Sequence, residues 1–190
     1  YDRKRSLEEL QLKNDKKTIL ILGGSQGASP INNHFFKELD YYLENNFQLI
    51  WQCGKNDFEY LKNKINNENI IIKSFINNIS QVYSACDLVV SRAGAITISE
   101  STFMGKAMIL IPFPYSASDH QTKNAQTFSN SGAAVLLPQS KLKFGELERT
   151  VLELFQDPKK IKLMEEQSLQ MAVPDATTNI ISTIMEIAES

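Results

Sequence analysis

The sequence predicts a doubly wound α/β domain, a Rossmann-like parallel sheet of six strands with helices on both faces. Three observations lead there. Short apolar runs of four to seven residues alternate along the chain with longer amphipathic stretches. The runs Leu88-Val89-Val90 and Met108-Ile109-Leu110-Ile111 do not alternate with polar residues, as expected of strands covered on both faces. At 190 residues the chain falls within the usual size of one domain with a sizeable core.

The elements follow in order. Residues 1–17 are polar and charged, with a short helix at 7–12 and a turn at Asn14-Asp15-Lys16-Lys17. Strands are expected at 18–22, 47–52, 69–73, 88–91, 107–111 and 133–136. Helices fit between them at 31–44, 57–66, 78–86, 95–104 and 119–130, and three more follow near 144–155, 158–171 and 175–188. The opening on Tyr1 rather than Met, just ahead of the first strand, reads as a piece of a longer protein. A processed or tagged whole protein is the alternative.

Composition narrows the function classes. Twenty basic against 22 acidic residues give a net charge of -2, which offers no global attraction for nucleic acid. No apolar run approaches the roughly 20 residues of a spanning helix, and no signal peptide is apparent. Cys53 and Cys86 have no zinc-type spacing and are expected as buried free thiols in a reducing, cytoplasmic setting.

In doubly wound sheets, ligands bind where strands hand over to helices, so three loops matter. The first, Gly23-Gly24-Ser25-Gln26-Gly27-Ala28, follows the first strand. Glycines let backbone approach a phosphate, and helix-start amides favour anions. A Walker loop would need a Lys after the last glycine, which is absent. A dinucleotide site would need GxGxxG and an acid ending the second strand, but that strand ends Trp51-Gln52-Cys53-Gly54. A tight turn without a ligand is the competing reading.

The second loop runs Ser91-Arg92-Ala93-Gly94-Ala95-Ile96-Thr97-Ile98-Ser99-Glu100. Gly94 and Ala95 are small enough to admit a ligand. Glu100 shares a helix face with Thr97 and leans back toward the loop, where a carboxylate suits two adjacent hydroxyls. Equally, Glu100 fits a solvated residue or a partner for Arg92 or Lys106. The third loop, Pro112 to Asn124, precedes a helix capped by Ser118 or Asp119, with His120 and Gln121 in its first turn. His120 is weighed between proton transfer and a structural role.

These three stretches, GGSQGA, SRAGAITISE and IPFPYSASDHQTKNA, occur in that order at successive strand ends. Together they resemble the C-terminal domain of the MurG family, bacterial N-acetylglucosaminyltransferases of peptidoglycan synthesis. Ser74-Phe75-Ile76-Asn77-Asn78, Gly132-Ala133-Ala134 with Gln139, and Val173-Pro174-Asp175-Ala176 also resemble its pattern. The likeness runs from Thr18 to about Ser190.

The resemblance implies half of a GT-B fold. Residues 1–17 would be a linker, 18–157 the UDP-sugar-binding domain, and 158–190 its C-terminal helices. The acceptor-binding N-terminal domain would lie outside this chain. The family moves GlcNAc with inversion from UDP-N-acetylglucosamine onto undecaprenyl-pyrophosphoryl-MurNAc-pentapeptide, converting lipid I to lipid II, with no metal or other cofactor expected. Position by position, Phe75 and the Ile76 backbone would meet uracil, and Glu100 the ribose hydroxyls. Ser25 and Gln26, with the Ala95, Ile96 and Thr97 amides at Gly94, would hold the diphosphate. His120, Gln121 and Asn124 would lie at the GlcNAc. Some relatives carry Gln at the position of His120, which favours hydrogen bonding there. The candidate base would lie in the other domain, so this chain alone is expected to be inactive. The full protein would be cytoplasmic, peripheral on the membrane through its other half. A last helix with Ile181, Ile184 and Met185 exposed would favour self-association. Another UDP-sugar transferase and a non-catalytic nucleotide-sugar-binding subunit are the alternatives.

Overall fold

Six parallel strands form one sheet in the order β3-β2-β1-β4-β5-β6. They are β1 (Lys17–Leu22), β2 (Phe47–Gln52), β3 (Ile70–Lys73), β4 (Leu88–Ser91), β5 (Met108–Leu110) and β6 (Ala134–Leu136). This is a computed structural model, and it describes residues 2–24 and 26–189. The expected fold class is observed, and β1, at the centre, is buried from Thr18 to Leu22. Parity along β1 divides the core. Ile19 and Ile21 face one apolar layer, and Leu20 and Leu22 face the other. Burying each such side chain contributes roughly 1.5–3 kcal/mol.

The helices are α1 (Arg3–Glu9), α2 (Ser29–Lys37), α3 (Leu39–Glu44), α4 (Lys55–Lys64), α5 (Ile79–Ala85), α6 (Ala95–Phe103), α7 (His120–Asn130), α8 (Glu146–Gln156), α9 (Pro158–Gln170) and α10 (Ala176–Glu189). One layer holds α2, α3, α4, α8 and α9 through Phe35, Tyr42, Leu61, Val151 and Met164. The opposite layer holds α1, α5, α6 and α7 through Leu7, Tyr83, Ile98 and Ala125.

Several expectations are corrected. The helix expected at 31–44 is two helices with a kink at Glu38 (φ -97°, ψ 16°). Ile31, Phe35 and Tyr42 stay buried across the kink, so the apolar pattern reads as unbroken. The first helix starts earlier than 7–12 because Asp2 caps it, accepting from the Arg5 amide. Leu7 and Leu12 are both buried, Leu12 after the left-handed Gln11. A 3₁₀ helix at Gln139–Phe144 was not expected, and α8 begins after Gly145 at φ 68°. Neither Ser118 nor Asp119 caps α7 with its side chain: both are left-handed, in or bordering a 3₁₀ turn at Ala117–Asp119. The Ser116 hydroxyl accepts from the Gln121 amide instead.

Both cysteines are buried free thiols, as expected. Burial pushes Cys53 up to about 11 and Cys86 up to about 12, so both stay protonated at neutral pH. Trp51 is fully buried, and its indole N–H donates to Asn32 Oδ1 at 2.9 Å. It serves the core. Among the described residues no helix is long and apolar enough to cross a membrane. Ile181, Ile184 and Met185 of α10 are exposed.

Candidate functional site

The carboxyl ends of β1, β2, β3 and β4 open into one groove of about 640 Å³. That is a volume typical of small-molecule sites. Its walls are Leu22 and Gly24 after β1, Gln52 ending β2, Phe75 to Asn77 after β3, Ile79 opening α5, and Gly94 to Thr97 with Glu100 after β4. Seven of the expected residues therefore meet in one place: Phe75, Ile76, Gly94, Ala95, Ile96, Thr97 and Glu100.

The glycines of the first loop divide by role. A Cβ on Gly27 (φ 80°) would lie 2.3 Å from the Cys53 carbonyl oxygen, and one on Gly54 (φ 82°) would lie 2.5 Å from Gly27 Cα. Their missing side chains let two loop backbones touch. A Cβ on Gly23 would meet the Ala28 amide nitrogen at 2.7 Å. Over Gly24 and Gly94, in contrast, nothing among the described residues lies within 4 Å. These two leave the groove open to a ligand, and Gly24 also needs its positive φ of 80°. Ser25 lies outside the described residues. Gln26 is exposed and does not line the groove.

Helix α6 enters the groove at its N-terminus. Its cap is Gly94, no side chain among the described residues caps its first amides, and no acid sits in its first turn. Those N–H groups and the helix dipole favour an anion there, typically by 0.3–1 kcal/mol and up to about 2 kcal/mol in partly buried geometry.

Glu100 is half-buried on the same helix. Among the described residues no cation pairs with it. Arg92 donates to the Ile111 and Pro112 carbonyls (3.2 and 3.0 Å) and to Gln139 Oε1 (2.6 Å). Lys106 donates to the Cys86 carbonyl at 2.9 Å. The ion-pair reading of Glu100 therefore fails. Burial raises its carboxyl above the ordinary range, and the Tyr83 hydroxyl partly opposes that rise. Tyr83 is itself held by Ser101 Oγ at 3.1 Å.

The remaining expected residues sit beyond the groove lining, around α7. Gln121 Oε1 accepts from the Phe113 amide at 3.0 Å, and Asn124 Nδ2 donates to the Ala93 carbonyl at 3.1 Å. These bonds brace the third loop and tie α7 to the second. His120 is exposed, and its Nδ1 bonds the Ala117 carbonyl at 2.7 Å.

Two structural residues were not singled out in the sequence. Gln52 is buried, accepting from the Ile76 amide (2.9 Å) through Oε1 and donating to the Gly24 carbonyl (3.2 Å) through Nε2. In the sequence it registered only as the missing acid at the end of β2. Arg92 is buried beneath the Pro-rich loop, 5.5 Å from the Phe113 ring centre, and burial lowers it to about 10, so it remains a cation at neutral pH.

Residues 18–180 match the glycosyltransferase family 28 C-terminal domain. The chain is 44% identical over 188 residues to the UDP-N-acetylglucosamine--N-acetylmuramyl-(pentapeptide) pyrophosphoryl-undecaprenol N-acetylglucosamine transferase of Flavobacterium psychrophilum, covering 99% of this chain and 51% of that protein. The enzyme of the same description from Desulforamulus reducens is 35% identical over 195 residues, covering 98% and 52%. The crystal structure of Acinetobacter baumannii MurG superposes with a TM-score of 0.76 at 28% identity, covering 95% of this chain and 53% of that one. A complex of S. aureus MnaA with UDP shares the fold alone, with a TM-score of 0.71 at 14% identity, covering 97% and 48%. The chain thus spans about half the length of the curated relatives it matches. The chain belongs to the glycosyltransferase family 28 C-terminal domains, of the MurG kind that its loop motifs resemble.

Proposed function

We propose that this chain is the UDP-N-acetylglucosamine-binding half of an inverting glycosyltransferase of peptidoglycan synthesis. Its acceptor is undecaprenyl-pyrophosphoryl-MurNAc-pentapeptide, held by an N-terminal domain outside this chain. One observation carries the reading. A helix N-terminus whose cap is a glycine and a half-buried carboxylate, Glu100, that no cation pairs with among the described residues, face one groove beside the exposed Phe75. A nucleoside diphosphate needs an anion site and an acceptor for its ribose hydroxyls, and an aromatic face suits its base. The names of the relatives support the sugar and the acceptor.

In this reading uracil lies against Phe75 and the Ile76 backbone, and Glu100 accepts from the two ribose hydroxyls. The diphosphate faces the Ala95, Ile96 and Thr97 amides. In the transfer an acceptor hydroxyl attacks the anomeric carbon from the face opposite the phosphate. The carbon–oxygen bond to the β-phosphate breaks, the configuration inverts, and the hydroxyl proton passes to a base in the partner domain. Negative charge grows on the departing diphosphate, in front of the α6 amides, where fixed dipoles stabilise it most. His120, Gln121 and Asn124 flank the sugar as hydrogen-bonding residues. The cleft closes only when the acceptor domain covers it. This half alone therefore binds donor and turns over nothing. The whole enzyme works at the cytoplasmic face of the membrane, which it meets through its other half, and the exposed α10 face gives the isolated chain a tendency to self-associate.

Calorimetric titration with UDP-GlcNAc, UDP-GalNAc, NADH and ATP tests the reading. Binding of UDP-GlcNAc in preference to the other three is expected. Preference for NADH or ATP would contradict it.

A further inference from the structure

We infer that Gln52 is a specificity-determining residue that sets the width of the base slot for a pyrimidine. The inference rests on the donor-site reading above. In the sheet β2 lies between β1 and β3, so the last residue of β2 sits between the loops that follow both neighbours. Gln52 is 6% exposed there and lines the groove. Its amide joins the two loops: Oε1 accepts from the Ile76 N–H at 2.9 Å and Nε2 donates to the Gly24 carbonyl at 3.2 Å. The orientation of that amide is fixed. Turning it over would set donor against donor and acceptor against acceptor.

Both loops line the groove. In the donor-site reading Gly24 lies on the phosphate side, and Phe75 and Ile76 lie on the base side. One side chain therefore fixes the span from the phosphate loop to the base loop before any ligand arrives. Preorganisation of this kind strengthens binding of a ligand that matches the span. It also works against a larger one. A purine would push back the Ile76 wall and break its bond to Gln52, leaving a buried amide group unpaired. A simple fastener would behave differently, changing stability and all nucleotide affinities together without touching their ratio.

The test titrates UDP and ADP into the wild-type chain and into Gln52→Met, which keeps the length and flexibility of the side chain but neither hydrogen bond. The wild type should prefer UDP. In the variant the Kd for UDP should rise about tenfold, the loss of one net hydrogen bond near 1.4 kcal/mol, while that for ADP holds or falls, so the preference shrinks at least tenfold. Parallel weakening of both nucleotides, or no change, would overturn the assignment while leaving the donor site intact. Failure of the wild type to bind UDP would overturn the donor-site reading and this assignment with it. Should Gln52→Met not unfold cooperatively, amide exchange in the ligand-free wild type decides. Ile76 should exchange about a hundredfold or more below the open-chain rate, and exchange at the open-chain rate would overturn the assignment.

Discussion

Glu100 and Glu148 sit on helices that cover opposite faces of the sheet, and both are drawn out of water. Glu148 Oε1 accepts from His34 Nε2 at 2.6 Å and from the Tyr42 hydroxyl at 2.9 Å. Burial alone would raise its carboxyl. Hydrogen bonds from His34, from its own backbone amide and from Tyr42 outweigh that and hold it below the ordinary range. Glu100 has no such set, and its burial leaves the carboxyl raised. The glycines repeat the contrast. Gly27 and Gly54 are filled by each other's backbone, whereas nothing among the described residues fills the space over Gly24 and Gly94. So do the helix starts, since Asn78 caps α5 by accepting from the Gln81 amide while no side chain among the described residues caps α6. Where partners inside the chain hold a polar atom, as at Glu148 Oε1, the residue serves the fold, although Glu148 Oε2 is buried with no hydrogen-bond partner among the described residues. Where polar capacity is left open beside a groove, it is available to a ligand.

The contrast can be broken at its strongest point first. Gly27→Ala forces a methyl to 2.3 Å from the Cys53 carbonyl oxygen at a left-handed φ. It should cost about 3–5 kcal/mol or prevent folding, read by denaturant unfolding. Gly94→Ala places its methyl, at φ -73°, in space that none of the described residues fills and should change stability by only about 0.5 kcal/mol. The same methyl should weaken UDP-GlcNAc binding at least tenfold. Equal stability losses at the two glycines would break the comparison.

Next in size, Glu148→Ala leaves His34 and Tyr42 without their acceptor. It should lower stability by about 2–3 kcal/mol and leave UDP-GlcNAc affinity unchanged when titrated well below its melting temperature. A loss of donor affinity would place the Glu148 cluster within the site.

The smallest expected effect is on pH. Glu148 has a depressed carboxyl, so its contribution is fully present above the ordinary Glu range near about 4.3 and is lost as pH falls from there through the folded value. Glu100 has the opposite sign. Its raised carboxyl favours the protonated folded form, so ionisation costs stability as pH rises from the ordinary range through the folded value. Melting curves of Glu148→Gln and Glu100→Gln against pH should therefore diverge from wild type in opposite directions. Parallel curves would contradict the contrast.

The sheet was legible because parallel strands buried on both faces carry unbroken apolar runs, as at Leu88 to Val90. Two walls of the groove were legible because Gly-rich turns mark the ends of β1 and β4 by composition, whereas the Pro-rich loop, equally legible, lies beyond the lining. The kink at Glu38 was not, since the burial of Ile31, Phe35 and Tyr42 continues across it. Gln52, Arg92 and the Gly27–Gly54 contact escaped for a different reason. Each is defined by a partner more than 19 residues away, brought close only by the sheet. Gln121 and Asn124 were found, but their hydrogen bonds to the Phe113 amide and the Ala93 carbonyl depend on loop conformation that no spacing encodes.

The most direct test of the central claim is a calorimetric titration of Glu100→Ala with UDP-GlcNAc beside wild type, with a melting curve of each. Two charge-assisted bonds to ribose are worth about 2–3 kcal/mol together in a groove open to water. The account predicts affinity reduced roughly 30-fold or more, with a melting temperature equal to or slightly above wild type. Unchanged affinity, or a loss of affinity that follows a fall in melting temperature, would show that Glu100 serves the fold as Glu148 does.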